Sequence, residues 1–144
     1  MALSTTQPHP THLNTALLLI RIASSLVFLY HGSAILFGAF GGPGPVNFAA
    51  FIHAPVIVGY LVGLAQFGGG LAILTGILFR IGAASIAIVM LGAIFMVHLP
   101  RGFDVSKGGM EFALTQLLIA LAFLLTGPGE YSIARLLPAS IQRW

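Results

Sequence analysis

Residues 97–112 read VHLPRGFDVSKGGMEF. The chain of 144 residues has only six Lys or Arg and three Asp or Glu. Four of those charges, Arg101, Asp104, Lys107 and Glu111, fall in this stretch, with His98 near its head. Long apolar runs flank it on both sides. Desolvating a charge is expensive, so such an island either faces water or performs a task.

The composition says what the runs are. The chain is 58% hydrophobic and 6% charged, with mean hydropathy +1.02. An ordinary soluble domain is about 25% charged, so a water-facing surface cannot be built from this inventory. The sequence reads as one all-α membrane domain embedded in a lipid bilayer. It has no cysteine, which excludes disulfides, zinc–thiolate sites, iron–sulfur clusters and covalent c-type haem. A net charge of +3 with no basic patch fits orientation in the bilayer and gives nucleic acid nothing to bind.

Working outward from the island, residues 81–99 form an apolar run with Ala84, Ala87, Leu91, Ile94 and His98 along one side. Residues 110–126 form the next run, at the short end of the spanning range, and Gly127-Pro128-Gly129 stops it. Towards the N-terminus, residues 79–82 read as a tight turn carrying Arg80. Before it, residues 55–78 place Gly59, Gly63, Gln66 and Gly70 on one narrow helix face. Gly59 and Gly63 form a GxxxG pair that admits a neighbouring backbone, and a glutamine on that face belongs inside a bundle, away from lipid. Residues 14–37 form the first run. Arg21, Ser24, Phe28, His31 and Ile35 step along it by three or four, with Arg21 near the end, where it snorkels to the interface.

The predicted architecture is therefore a four-transmembrane-helix bundle. Residues 1–13 are a flexible N-terminal tail, residues 14–130 the transmembrane domain, and residues 131–144 an interfacial C-terminal tail with Trp144 as an aromatic anchor. Residues 38–55, GAFGGPGPVNFAAFIHAP, break the first helix and then carry a short interfacial or re-entrant helix over 46–54. With four spans both termini share a side. Arg21, Arg80, Arg135 and Arg143 fall on that side, against Arg101 and Lys107 on the other, so the positive-inside rule puts both termini in the cytoplasm.

On this topology His31, Gln66, His98 and Glu111 converge on one polar pocket in the outer half, as ligand-holding or proton-relay candidates, and Arg101 and Lys107 form a basic rim. Gly59, Gly63 and Gly70 are the helix-packing residues. Each polar residue also has a structural reading: an interhelical hydrogen bond for His31 and Gln66, helix capping for His98 and Glu111. No nucleophile–base pair and no metal cluster makes the isolated chain an enzyme, and nothing enforces axial haem b geometry between His31 and His98.

Three blocks carry a resemblance: HGSAILFGAFGGPG at 31–44, QFGGGLAILTGILFRIGA at 66–83, and VHLPRGF, GGMEF and LTGPGEYS within 97–132. In order and spacing they resemble the DoxX family of small bacterial four-helix membrane proteins. The family takes its name from a subunit of a thiosulfate:quinone oxidoreductase. The resemblance implies a multi-pass protein of the bacterial cytoplasmic (inner) membrane that joins a larger oxidoreductase complex, or a homo-oligomer, and offers a quinone pocket. Two positions depart from the family pattern: Ala34 stands where a Lys is common and Gln66 where a Glu is common. Losing both members of an intramembrane ion pair is electrically balanced. The alternatives are a structural assembly subunit without chemistry of its own and a small-solute carrier.

Overall fold

The computed structural model describes residues 10–138, so the expectations for most of the N-terminal tail, Arg143 and Trp144 lie outside the described residues. Among the described residues every regular element is helical and there is no strand. Helix α1 runs Pro10–Phe37, ahead of the expected start at Asn14. Proline suits a first helical turn, where its missing N–H is one of the unpaired donors anyway. Gly38, at φ 67, ends α1. A short turn leads to α2, Gly44–Phe51, whose Pro45 sits in the first turn.

Helix α3, Val56–Thr75, follows Pro55. It stops at Gly76, which adopts the left-handed conformation at φ 79 and returns its N–H to Ala72 O at 2.8 Å. Leu78 is left-handed too, and α4 begins at Phe79, running Phe79–Ala93. The turn therefore falls over 76–78 and not over the expected 79–82. Gly82 is spent instead on a helix crossing, where a Cβ would meet Ala72 Cβ at 2.6 Å and Gly69 O at 3.1 Å. One π turn, Ile94–His98, and a 3-10 turn, Leu99–Arg101, continue α4. After the charged loop, α5 spans Glu111–Thr126 and ends at Gly127. The interfacial segment expected after it is a 3-10 turn, Ile133–Leu136.

Three segments are long and apolar enough to cross a membrane: Thr11–Phe37, Val56–Thr75 and Phe79–Arg101. The fourth, α5, is apolar but only 16 residues long, about 24 Å at 1.5 Å per residue. Helix α1 packs on α3, α3 on α4 and α4 on α5, the α1–α3 contact being the most extensive, with α2 laid against α3 and α1. The core gathers Phe28 from α1, Ile73 from α3, Phe79, Ile86 and Met90 from α4, and Leu117, Ala120 and Phe123 from α5. Phe79 and Phe123 meet edge to face at 5.3 Å. On α4 the buried stripe runs through Gly82, Ala83, Ile86, Ala87 and Met90. Of the side read from the sequence, Ala87 and Ile94 are buried and Leu91 is 44% exposed.

Glycines set how closely the helices approach. Gly59, Gly63, Gln66 and Gly70 are all buried on α3. A Cβ at Gly59 would collide with Pro45 O of α2; one at Gly63 would stand 3.1 Å from Leu36 N; one at Gly70 would stand 3.1 Å from Leu29 N. An adjacent side of α3 meets α4 through Gly69, where a Cβ would lie 2.9 Å from Ser85 Oγ. Gly63→Leu is expected to destabilise the bundle by roughly 2–3 kcal/mol through overpacking against α1. Melting in detergent checks this; a parent-like transition would mean the helices separate there without penalty.

Candidate functional site

Two polar constellations sit at opposite ends of the bundle. At the end shared by the chain termini, Arg21 is 1% exposed. It does not snorkel. Its Nε donates to Ile73 O at 2.9 Å and Nη2 donates to Leu74 O at 2.8 Å, both near the C-terminus of α3. Its Nη1 donates to Pro128 O at 2.8 Å and Tyr131 O at 2.6 Å in the segment after α5. The guanidinium also stands 5.6 Å from the Phe79 ring centroid. One cation thus ties α1 to the end of α3 and to the chain beyond α5, and the unpaired carbonyls and negative dipole of the α3 C-terminus favour it there. Asn14 Oδ1 accepts from Glu130 N at 3.0 Å and reinforces the same corner. One turn deeper, Ser24 Oγ donates to Gln116 Oε1 at 2.9 Å, a buried bond joining α1 to α5.

At the other end lies a cavity of about 480 Å³. Its walls are mostly apolar: Phe28 and Ile35 from α1, Phe51 and Ile52 beside α2, Met90 and Met96 along α4. Four polar side chains interrupt them: His31, Gln66, His98 and Arg101. Gln66 is 7% exposed, and among the described residues no group hydrogen-bonds its amide. Gln66 lines the cavity, so its amide is free to donate and accept there. His31 lies edge-on to Tyr30, with ring centroids 5.3 Å apart.

His98 lies at the end of the π turn, a local widening of the helix that recurs at functional sites. Its Nδ1 lies 2.7 Å from Gly108 O. A carbonyl only accepts, so Nδ1 carries the proton, and in the neutral ring Nε2 is left as an acceptor. The charged loop holds this arrangement. Met110 N donates to Gly102 O at 3.0 Å and Glu111 N to Phe103 O at 3.0 Å, closing the loop on itself. Asp104 Oδ1 accepts from Ser106 N and Ser106 Oγ, and Lys107 stands 4.0 Å from Asp104 Oδ2.

His31, Gln66, His98 and Arg101 therefore share one cavity, whereas Glu111 and Lys107 are not among its walls. Glu111 is the first residue of α5, where its charge suits the helix N-terminus, and the α5 wall is made by Phe112 and Ala113. Lys107 lies out on the loop with 77% of its side chain exposed, turned to Asp104. The hollow is also less polar than expected, because the α1, α2 and α4 faces supply aliphatic and aromatic side chains. Sequence reasoning missed the Arg21 clasp and Gln116. The only available signal for Gln116 was a lone amide in an otherwise apolar run.

The DoxX family model matches residues 16–99, more than half of the chain. The chain is also 35% identical over 127 residues to "Inner membrane protein YqjF" of Escherichia coli (strain K12), covering 86% of this chain and 93% of that protein. It is 29% identical over 110 residues to "Putative oxidoreductase CatD" of Bacillus subtilis (strain 168), covering 76% and 78% respectively. No solved structure matches. The fold defines an integral membrane protein built of apolar helices, and the chain belongs to the DoxX family. Its inner-membrane relative points to the bacterial inner membrane.

Proposed function

We propose that this chain is the membrane subunit of an oxidoreductase complex and that its cavity receives the ring of a membrane quinone. In this reading α5 is a fourth span and both termini face the cytoplasm, with Arg80, Arg135 and Arg143 on that side. The observation that carries the proposal is the Gln66 amide lining an apolar hollow, with no hydrogen-bond partner among the described residues. An apolar pocket with a few convergent polar groups is the usual form of a small-molecule site. An amide donates through its NH2 and accepts through its oxygen, so Gln66 matches a ring oxygen in either its carbonyl or its hydroxyl form. His98 Nε2 is an acceptor for a hydroxyl, and a protonated His98 or His31 is a donor for a carbonyl. When bound, a quinone carries two electrons and two protons between a partner redox subunit and the bilayer pool. The chain's own residues hold the ring, and the cavity walls exclude water from it.

Gln66 suits an uncharged ring, whereas Ala34 is not among the cavity's walls. Ala34 is 9% exposed, so no cation stands at that position, and Gln66 brings no negative charge that would need one. The test is purification in mild detergent, extraction and quantification of bound quinone, and titration with a short-chain quinone. Gln66→Leu is expected to weaken binding roughly tenfold, the effect of losing one buried hydrogen bond of about 1.4 kcal/mol. Equal affinity in parent and variant, or no quinone bound to either, would reject the pocket. A partner that still co-purifies with a quinone-free chain would support the assembly-subunit reading instead.

A further inference from the structure

We propose that the mouth of the cavity is a binding site for the phosphate headgroup of an anionic phospholipid, held by Arg101 and His53. A second hollow adjoins the first; besides Ala50 it is lined by Phe51, Ile52, His53, Met96, Val97 and Arg101. All of these except Ala50 and His53 also line the main cavity, so Arg101 stands where the two meet. This site is separate from the Gln66 amide and does not depend on the quinone reading.

Charge is the first argument. Among the described residues the Arg101 guanidinium has no hydrogen bond and no ion pair, and neither does the His53 side chain. No acidic side chain lines either hollow. The nearest acid in sequence, Asp104, is already engaged by Ser106 and Lys107. The site is therefore a cation without a counter-ion, and a phosphate with its planar pair of acceptor oxygens suits a guanidinium fork.

Position is the second argument. Arg101 ends the continuous helical segment Phe79–Arg101, where the chain passes from apolar α4 into the charged loop. That is the depth at which a spanning helix meets headgroups. Below it Phe95 and Met96 are 65% and 60% exposed, a track for acyl chains leading down from the cation. Across the hollow His53 closes the turn after α2 with φ 53.

The third argument is local support for Arg101. A Cβ at Gly108 would lie 3.0 Å from Arg101 Nη1 and 3.1 Å from its Cδ. The arginine is thus laid against a bare glycine, whose carbonyl accepts from His98. The guanidinium thus lies beside the loop at the mouth.

The experiment releases the full chain from nanodiscs of equimolar phosphatidylglycerol and phosphatidylethanolamine and reads retained lipid by native mass spectrometry. The parent is expected to retain phosphatidylglycerol over phosphatidylethanolamine by roughly fivefold, the effect of one interfacial arginine. Arg101→Gln should bring the ratio near unity, and Arg101→Lys should keep most of it. His53→Asn, which tolerates the left-handed backbone, should reduce it. The lipid ratio is internal to each spectrum, so it reports on the site wherever a variant folds, and parent-like melting confirms folding. An unchanged ratio in Arg101→Gln overturns the proposal. Displacement of the lipid by inorganic phosphate alone would assign the site to a soluble oxyanion and also overturn it.

Discussion

Replacing Arg21 with methionine is expected to loosen the terminus end of the bundle and lower stability by about 3–5 kcal/mol. The side chain fills a similar volume, so packing loss is not the main term. The loss comes from four carbonyls, those of Ile73, Leu74, Pro128 and Tyr131, which now receive four N–H donations from one guanidinium. Each buried carbonyl deprived of its donor costs about 1–3 kcal/mol, and relief from burying a cation offsets part of this. Arg21→Lys separates charge from shape. An ammonium keeps the charge but concentrates its donors at one point, whereas the acceptors here belong to two different segments. It should recover less than half of the lost stability. Melting in detergent gives the magnitude, and trypsin cleavage after Arg135 should accelerate in both variants as the segment beyond α5 comes free. Parent-like melting of Arg21→Met would show that the carbonyls find other donors.

This arginine also shows where sequence reading stops. Snorkelling and clasping look alike in a sequence, since both place an arginine near a helix end. What separates them is the identity of the acceptors, and backbone carbonyls leave no side-chain signature. The Ser24–Gln116 bond is hidden for a related reason: its partners are 92 positions apart and each is a lone polar residue in its own run. The runs and their breakers were legible because apolar length and Gly/Pro punctuation are written locally. The α3–α4 turn moved because two glycines compete for it. Gly76 serves the left-handed helix cap and Gly82 the crossing with α3, and only the packed structure says which does which.

The candidate site divides along the same line. Gln66 stands out in sequence because an amide among glycines has no place in lipid, and His31 and His98 because ionisable groups are rare in apolar runs. Glu111 satisfies the same criterion and yet stays off the cavity wall. At the first position of α5 its direction is set by the loop, which closes through Glu111 N and Phe103 O and leaves Phe112 and Ala113 on the wall. Being charged and close in sequence to the site was not enough; the rotation of one helix decides.

The second large effect is expected at Gly32, where α1 lies against the backbone of α3. A Cβ there would meet Phe67 N and would stand 2.7 Å from Phe67 Cα. Both are backbone atoms of α3, so no rotamer change makes room. Gly63, by contrast, faces Leu36 Cβ and N and an Ile35 methyl at 3.1–3.2 Å, where a few tenths of an ångström suffice. Gly32→Leu is therefore expected to exceed the usual overpacking range, at more than about 3 kcal/mol, and to widen the α1–α3 crossing. Gly32→Ala should fall between that and the parent. A control lies one residue from the Phe67 contact: a Cβ at Gly68 meets nothing within 4 Å. Gly68→Ala removes a flexible glycine from a helix interior without a clash and should stabilise by up to about 1 kcal/mol. Opposite signs for these two glycine-to-alanine changes, read as melting shifts under identical detergent conditions, separate close approach from helix propensity. If Gly32→Ala also stabilised the protein, the α1–α3 crossing would be looser than its geometry implies. The floor of the cavity would then be looser too, because Phe28 and Gln66 sit on those same two helices.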